Sequence, residues 1–390
     1  MVMIFLTYDF VWFALTFLGV YSLTRWPQAR LLLLIAAGVW FQAFYGGVAS
    51  LSVVLVLSAI SYAAALTENK TIIGTAIAAC VVTLLYCKYM LFLASSLLAP
   101  FLPVSTGAIE SWLPSVIPLG ISFFTFEFVH YLVDVYRGDT PVRSIRDFAS
   151  FVLFWPTMIS GPIKRYQKFI PAMHHGIKTQ SSSDAMQGLI RIAIGLTKKW
   201  GADNLTGLIN YAEPNLHQQP LALRWIFLIA IAARILLDFS GYSDMAIGYA
   251  KVMGITVPEN FNWPYLARSP IEFWQRWHMS LSLWIRDYVY IPLGGNRLGV
   301  PRRIVNALAA MTICGFWHGA AWNFAVWGFY HGIGLATAAG LQRAFSETTP
   351  GPVVSFAGWL ATMIFVSVGW LLFFYPIDKA VTIAKMLVIP

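Results

Sequence analysis

Charged residues are scarce in this sequence of 390 residues. Asp, Glu, Lys and Arg make up 11% of the chain, less than half of the share of roughly 25% in soluble domains, while hydrophobic residues make up 58%. Apolar segments run throughout, which argues against the two or three soluble domains that this length would otherwise suggest. The composition predicts a single membrane-embedded domain, residues 1–390, of the all-α, polytopic integral membrane class.

Cysteines and common catalytic signatures are also rare or missing. The sequence has three cysteines, an odd number, and all lie in apolar stretches (Cys80, Cys87 and Cys314). This predicts buried small side chains rather than a disulfide framework. The sequence contains no P-loop, GxGxxG, GxSxG or HEXXH motif. Met1–Tyr21 lacks a basic n-region and a cleavage site, so we expect its apolar segment to remain as a membrane anchor.

The apolar segments predict about nine to eleven membrane helices, because each crossing needs about 20 mainly apolar residues. Several segments are too short to cross alone, so we expect re-entrant and interfacial helices around a central chamber. Gly161–Ala185, with His174 and His175 in a polar loop, and Phe239–Asn296 are the least membrane-like regions. The candidate segments are Ile4–Tyr21, Leu31–Phe44, Val48–Leu66, Ile72–Leu98, Val116–Tyr136, Phe148–Ile159, Leu189–Trp200, Leu221–Leu237, Ile304–Cys314, Ala320–Ala339 and Val353–Phe374.

The net charge of +9 is distributed so that basic residues recur on every second connection between the early apolar segments. Those connections are expected to be cytoplasmic, whereas the N-terminus and the connection 100–114, which has no Lys or Arg, are expected outside. Two basic blocks follow, Lys164–Lys178 and Arg268–Arg303. They are either topology signals that also attract anionic membrane lipid or a docking surface for an anionic donor such as coenzyme A or a carrier protein. Nucleic acid is not an expected partner, because this charge lies between membrane spans.

His318, in CGFWHGAAWNF, is the strongest candidate for chemistry, because an ionisable side chain within apolar sequence is by default a functional-site hypothesis. Ile304–Leu341 has 38 residues and would be about 57 Å long as one straight helix, whereas the hydrocarbon core is about 30 Å thick. The chain must bend, and Gly315 and Gly319 flank His318. A histidine at such a break can face a cavity; a structural histidine bonded to a backbone carbonyl is the alternative.

His278, in EFWQRWHMSLS, is the second candidate. Glu272 and Arg276 before it are spaced to pair on one helix face, and an interfacial histidine in a polar segment is the alternative. His331 lies 13 residues after His318, about 20 Å along a continuous helix. We therefore predict that His331 packs or caps rather than assists His318.

Glu127, His130 and Asp134 share one helical face by their spacing. A metal site is conceivable there, since histidine and carboxylate suit zinc or iron. No further ligand cluster supports it, so we predict a polar network between helices and no metal.

Five segments of the chain resemble the membrane-bound O-acyltransferase family, and the similarity is greatest to its bacterial branch of alginate O-acetyltransferases. They span Phe123–Gly332 in the family's order, whereas the first 100 residues are only generically hydrophobic. The segments are FFTFEFVHYLVDVYRG, FWPTMISGPIKRY, LDFSGYSDMAIG, PENFNWPYLARSPIEFWQRWHMSLSLWIRDYVYIPLGGNRLG and FWHGAAWNFAVWGFYHG.

We accordingly divide the domain into N-terminal helices (1–115), a catalytic core (116–341) and a C-terminal helix (342–390). The chain ends earlier than alginate-type relatives usually do, which fits either a truncated chain or a naturally short member of the family.

The resemblance implies acyl transfer, typically of acetyl, from cytosolic acetyl-coenzyme A to a hydroxyl of an exported polysaccharide. It further implies a bacterial inner membrane location, a periplasmic esterase-like partner transferase that often completes the transfer, and no bound cofactor besides the donor. D-alanyl transfer from a carrier protein to a cell-envelope polymer is the alternative. A membrane transporter is the alternative from a different class.

The resemblance also implies roles for the two histidines. His318 matches the family's near-invariant histidine and would act as general base. His278 matches the second polar position and would orient the substrate or donate a hydrogen bond to the developing oxyanion. The candidate substrate-binding residues are Arg276, Trp317, Asn323, Asp244, Arg302 and Arg303.

Overall fold

The computed structural model describes residues 4–98, 117–344 and 351–388. These ranges are helical and contain no strand, which confirms the all-α class. The connection 100–114 and the boundary between residues 115 and 116 lie outside the described residues. Three helices, Pro27–Leu66, Lys70–Ser96 and Pro352–Phe374, are each long and apolar enough to cross a membrane, and Tyr8–Leu23 is a shorter apolar helix. The count of nine to eleven membrane helices stays a prediction.

The chain forms two compact units, Met1–Ile194 with Ser243–Pro258, and Gly195–Tyr242 with Glu259–Pro390. The first unit contains seven described helices, the beginning of α8 and the end of α9. Short 3₁₀ or π turns supplement them at Ile4–Leu6, Leu85–Tyr89, Ala94–Leu98 and Trp155–Thr157. The helices are α1 (Tyr8–Leu23), α2 (Pro27–Leu66), α3 (Lys70–Leu84), α4 (Met90–Leu93), α5 (Ile121–Tyr136), α6 (Ile145–Val152), α7 (Tyr166–Thr179), α8 (Ser182–Ala212) and α9 (Leu221–Val252).

Helix α2 is broken at Gly47, whose φ of 77° is open to glycine and unfavourable for other residues. Nε2 of Gln42 donates to Oγ of Ser50 at 2.8 Å, although eight residues would separate these side chains by about 12 Å along a straight helix. The break divides α2 into two halves of about 20 residues, each sufficient to cross a bilayer. This agrees with the two separate segments that the sequence predicts on either side of Gly47.

The interior of the first unit is built around Trp155, which is fully buried. Rings from α1 surround its indole, with centroid distances of 5.7 Å to Phe10, 5.4 Å to Phe13 and 5.8 Å to Phe17. Tyr249 of α9 closes the cluster at 5.2 Å. These aromatic residues thus pack α1 against the rest of the unit.

The polar face of α5 forms the network that its spacing predicts. Nζ of Lys164 donates to Oε1 of Glu127 at 2.5 Å, and both side chains are buried. Nε2 of Gln167 donates to Oδ2 of Asp134 at 2.7 Å, and Nδ1 of His130 lies 3.1 Å from the carbonyl oxygen of its own helix. Within the described residues, no group of three His, Cys, Asp or Glu side chains is placed to hold a metal ion.

The predicted polar loop around His174 and His175 is wrong, because both residues lie in helix α7. The two polar histidines and Pro171 suggest a loop, but apolar residues at helical spacing form a buried stripe along this segment. Nε2 of His174 lies 3.0 Å from Oδ1 of Asp147 on α6. The stripe consists of Tyr166, Phe169, Met173, Gly176 and Ile177.

The second unit contains the rest of α8 and α9 and six further helices. The region after α9, which the sequence marks as one of the least membrane-like, consists of short helices joined by irregular backbone. Turns lie at Glu213–Gln218, Pro264–Leu266 and Arg286–Tyr290. The helices are α10 (Pro270–Arg276), α11 (Met279–Ile285), α12 (Gly299–His318), α13 (Trp322–Ala344), α14 (Pro352–Phe374) and α15 (Ile377–Met386).

Helices α12 and α13 form an antiparallel hairpin in which backbone meets backbone. A Cβ added to Gly315 would lie 2.1 Å from the carbonyl oxygen of Phe324, and one added to Gly328 would lie 2.2 Å from that of Met311. Only glycine at these positions allows so close an approach, the packing mode that membrane helices use repeatedly. The predicted bend within Ile304–Leu341 is confirmed, since α12 ends at His318 and α13 begins at Trp322.

We predict that Gly328→Ala separates α12 from α13 and lowers thermal stability by about 1–3 kcal/mol, the usual effect of overpacking. The matched control is Gly340→Ala on the same helix, where an added Cβ meets nothing within 4 Å. Thermal unfolding in detergent, followed by fluorescence, should show a lower midpoint for Gly328→Ala alone. Equal midpoints for the two variants would contradict the close packing.

Candidate active site

His318 is the last residue of α12 and lies at the turn of the hairpin. The next residue, Gly319, has extended backbone, and a Cβ there would lie 2.2 Å from the ring of Phe324. The helix therefore stops at His318 because the chain crosses to α13 immediately afterwards. This break leaves the imidazole at the end of a helix, as the flanking glycines predict.

Three aromatic rings surround the imidazole of His318, which is partly exposed. The ring centroids lie 4.8 Å away for Trp317, 5.2 Å for Trp327 and 5.2 Å for Phe373, all in edge-to-face geometry. Trp327 comes from α13 and Phe373 from α14. Such a setting excludes much of the water around the imidazole and gives it fixed apolar walls.

A cavity of about 720 Å³ lies beside α12 in the second unit. Its wall on α12 follows one helical stripe, Arg303, Ala307, Ala310 and Cys314, and His318 is the next residue of that stripe at four-residue spacing. His318 and the three rings around it do not themselves line the cavity. The wall on α12 therefore ends at Cys314, one helical turn before the histidine.

The two ends of the cavity differ in chemistry. Trp274, Met279 and Cys314 line the end nearer His318 and provide an apolar, sulfur-rich surface. At the other end three guanidinium groups converge from separate elements, together with polar side chains. Burial raises the pKa of the Tyr290 hydroxyl there, and the nearby Arg303 charge partly opposes this. The charged and polar residues of this end are Arg286, Tyr290, Asn296, Arg303, Gln342 and Arg343.

His278 lies between α10 and α11, fully buried, in left-handed backbone with φ of 41°. The backbone N–H of Met279 donates to the carbonyl oxygen of Asn260 at 2.9 Å, and Oγ of Ser280 donates to Oδ1 of Asn260 at 2.6 Å. These bonds hold a conformation that costs about 1–3 kcal/mol for a residue other than glycine. Neither ring nitrogen of His278 has a hydrogen-bond partner among the described residues.

Trp317 connects the two candidate histidines. Its ring centroid lies 4.8 Å from that of His318 and 6.2 Å from that of His278. Phe239 of α9 also packs against His278, with 4.6 Å between the two ring centroids. His278 and His318 are thus brought to one aromatic cluster although 40 residues separate them in sequence.

The remaining candidate substrate-binding residues have varied settings. Arg276 pairs with Glu272 on α10, with 2.8 Å between Nη2 and Oε1, as their spacing predicts. Nδ2 of Asn323 donates to the carbonyl oxygen of Leu372 at 3.1 Å and fastens α13 to α14. Arg303 lines the cavity, whereas the exposed Arg302 makes a long 3.5 Å contact with the carbonyl oxygen of Leu293.

Asp244 belongs to the first unit. Its buried carboxylate accepts a hydrogen bond of 2.6 Å from Nε of Arg191. Removing either partner of such a pair would leave a buried charge, which is strongly unfavourable. The pair therefore gives Asp244 a structural role within its own unit, and its role in substrate binding stays a prediction.

Sequence reasoning missed five residues of the site, Trp274, Arg286, Arg343, Trp327 and Phe373. Trp274 had a local signal, since it precedes His278 by four residues. Arg286 belonged to the basic block, without an assigned contact. Trp327, Phe373 and Arg343 lie on α13 and α14, and only the packing of these helices shows that they approach the cavity or His318.

Comparisons with known proteins identify the family of the chain. The profile of the MBOAT, membrane-bound O-acyltransferase, family matches residues 81–377. The chain is 36% identical over 369 residues to a probable alginate O-acetylase of Pseudomonas aeruginosa, covering 92% of this chain and 69% of that protein. It is 33% identical over 288 residues to a peptidoglycan O-acetyltransferase of Helicobacter pylori, covering 66% and 54%. With a teichoic acid D-alanyltransferase of Streptococcus thermophilus it shares 33% identity over 236 residues, covering 56% and 55%.

The chain belongs to the membrane-bound O-acyltransferase family. It is accordingly a membrane protein and an O-acyltransferase.

We predict that His278→Gly lowers acyl transfer about 10²-fold, the low end for loss of one oxyanion donor, without unfolding the protein. Glycine relieves the left-handed strain but leaves a cavity between Phe239 and Trp317, so the melting temperature is measured together with the rate. The matched control is Trp263→Gly, which relieves similar strain (φ of 48°) at an exposed residue and should keep the rate. A stable His278→Gly enzyme with wild-type activity would exclude His278 from the reaction.

Proposed function

We propose that this chain transfers an acetyl group from acetyl-coenzyme A to a hydroxyl of an exported polysaccharide, or to a periplasmic partner transferase that passes it on. The cavity carries this proposal, because its guanidinium-lined end and its apolar end follow the face of α12 on which His318 lies one turn beyond Cys314. The relatives named for alginate and peptidoglycan support a polysaccharide acceptor. The D-alanyltransferase matches a smaller part of the chain, so D-alanyl transfer remains the alternative.

The reaction uses His318 as general base. The acceptor hydroxyl attacks the thioester carbonyl while the imidazole takes its proton. The new C–O bond forms, the C–S bond breaks, and the thiolate of coenzyme A leaves and takes up a proton. An N–H of the His278 imidazole stabilises the negative charge on the carbonyl oxygen in the transition state.

The cavity fits a long thioester with a charged head. Arg303 and His318 are 15 residues apart on one helix, about 22 Å, so a thioester arm can extend between them along the apolar wall. Three arginines suit the several phosphates of coenzyme A better than the single phosphodiester of a carrier protein, because each guanidinium can bind one phosphate group in bidentate fashion. This favours coenzyme A over a carrier protein as donor.

The proposal includes a location in a bacterial inner membrane with nine to eleven membrane helices and contacts to anionic lipid. The donor is cytosolic, so the guanidinium-lined end of the cavity faces the cytoplasm. The N-terminus lies outside, as the distribution of basic residues predicts. Basic residues in cytoplasmic connections support this orientation. Cysteine labelling that places Arg302 outside the cell would contradict it.

For His318 we predict that replacement by Ala leaves expression and thermal stability normal and lowers acetyl transfer at least about 10²-fold, the low end for losing a general base. Gly315 and Gly319 keep the hairpin intact, so little packing is lost. His318→Gln should be nearly as inactive, since an amide forms hydrogen bonds but does not accept the proton. Transfer of radiolabelled acetyl by purified protein measures the effect.

The control for this experiment is His331→Ala, which should keep most of the maximal rate. A His318→Ala protein that unfolds would indicate a structural histidine. A stable His318→Ala protein that transfers acetyl at the wild-type rate would exclude the proposed base.

For the donor end we predict that Arg303→Glu raises the KM for acetyl-coenzyme A about 10-fold or more, because hydrogen bonds to charged groups contribute about 1.5–3 kcal/mol each. The matched control is the neighbouring Arg302→Glu, which makes the same charge change at an exposed site outside the cavity and should have the smaller effect. Acetyl-pantetheine, which lacks the phosphates, should lose little from either change. Equal losses for both donors in Arg303→Glu would contradict phosphate binding at Arg303.

A further inference from the structure

His331 on α13 is fully buried, and the reaction described above does not use it. Nε1 of Trp274, on α10, donates a hydrogen bond to Nδ1 of His331 at 3.3 Å. Trp274 also lines the apolar end of the cavity. One bond thus links a buried histidine, which does not line the cavity, to the cavity wall.

The hydrogen-bond donor, the indole N–H of Trp274, determines which ring nitrogen of His331 carries the proton. The indole N–H only donates, so Nδ1 must accept and the neutral ring carries its proton on Nε2. Nε2 has no hydrogen-bond partner among the described residues, and a Cβ added to Gly369 on α14 would lie 3.1 Å from it. Helix α14 therefore closes over the far side of the imidazole, which leaves the acceptor nitrogen directed at Trp274.

A second contact leads from His331 toward His318. The ring of Trp327 lies 4.9 Å from the imidazole of His331 and 5.2 Å from that of His318, centroid to centroid. The sequence-based distance of about 20 Å between the histidines assumed a continuous helix, whereas α13 runs back along α12. His331 is therefore placed behind two tryptophans, one in the cavity wall and one packed on the proposed base.

An apolar ring would fill the same space without a buried polar atom. Burying an imidazole nitrogen that lacks a partner is unfavourable by about 1–3 kcal/mol, and apolar residues of similar volume are usually well tolerated in a core. The surrounding rings of Phe273, Phe365 and Trp370 would accept such a residue. The bond to Trp274 is what a histidine supplies here and a phenylalanine does not.

We propose that His331 is a positioning residue that fixes Trp274 in the cavity wall and thereby sets the affinity for the acyl donor. This inference rests on the proposed function, in which the cavity holds the thioester arm. It predicts an effect on donor binding rather than on the chemical step. The hydrogen bond, not the volume of the ring, carries the effect.

The test compares four variants by donor KM and kcat. His331→Ala and Trp274→Phe each remove the bond and should raise the KM for acetyl-coenzyme A about fivefold, the effect of one neutral hydrogen bond, with kcat little changed. His331→Asn should restore a KM near wild type, because its Oδ1 is attached to Cγ as Nδ1 is and can accept from Trp274. The double variant His331→Ala with Trp274→Phe should be no worse than either single variant, since both remove one interaction.

The matched control is Tyr330→Phe. It removes a different hydrogen bond of α13, the 2.8 Å bond from Tyr330 Oη to the carbonyl oxygen of Phe365 on α14, at a residue that does not line the cavity. It should lower the melting temperature without raising KM. An elevated KM in Tyr330→Phe would show that general loosening, rather than the Trp274 bond, affects the donor. An elevated KM in His331→Asn equal to that of His331→Ala, or additive effects in the double variant, would overturn the inference.

A second measurement keeps this inference separate from the proposed function. In a protein with Cys80→Ser and Cys87→Ser, Cys314 is the remaining thiol, and it lines the same end of the cavity as Trp274. Alkylation of Cys314 by N-ethylmaleimide should be faster in His331→Ala and Trp274→Phe, and unchanged in His331→Asn and Tyr330→Phe. This result needs no acetyl transfer, so failure of the proposed donor would leave it standing, whereas equal alkylation rates in all variants would refute the positioning role.

Discussion

The contact between α12 and α13 is the constraint on which the rest of the site depends. Gly315 and Gly328 let the two backbones meet, so the hairpin must turn directly after His318. A looser pair of helices would allow a longer connection, and the imidazole would then lie on a mobile loop. Because the contact is made by backbone, it fixes the base more firmly than side-chain packing alone would.

This arrangement produces a gradient of polarity along one helix. The charged end holds guanidinium groups that would keep the anionic head of the proposed donor near water, while the aromatic rings around His318 exclude part of the water there. Exclusion matters for a thioester, since water competes with the acceptor hydroxyl as a nucleophile. The low dielectric at the aromatic end also strengthens every hydrogen bond made to the developing negative charge. In the proposed reaction, donor binding and chemistry therefore occupy opposite ends of one face of α12.

Much of this could be predicted where the signal is local. The bend at Gly319, the break at Gly47 and the pair of Glu272 with Arg276 all follow from residues a few positions apart. What the sequence could not supply is the packing between distant segments, which brings Phe373 to His318. Helix α7 was missed for another reason, since its polar composition hid an apolar stripe that is buried at helical spacing.

Burial supports a division of roles between the two histidines. A general base must release its proton after each turnover, so it needs some contact with solvent or with the leaving group. His318 is partly exposed at the end of α12, whereas His278 is fully buried in a strained backbone conformation that its neighbours hold in place. A buried neutral imidazole is well suited to donate a fixed hydrogen bond, because it does not need to exchange its proton or reorganise during the reaction. The exposure of each ring thus supports His318 as the base and His278 as the hydrogen-bond donor, with Trp317 holding the two apart.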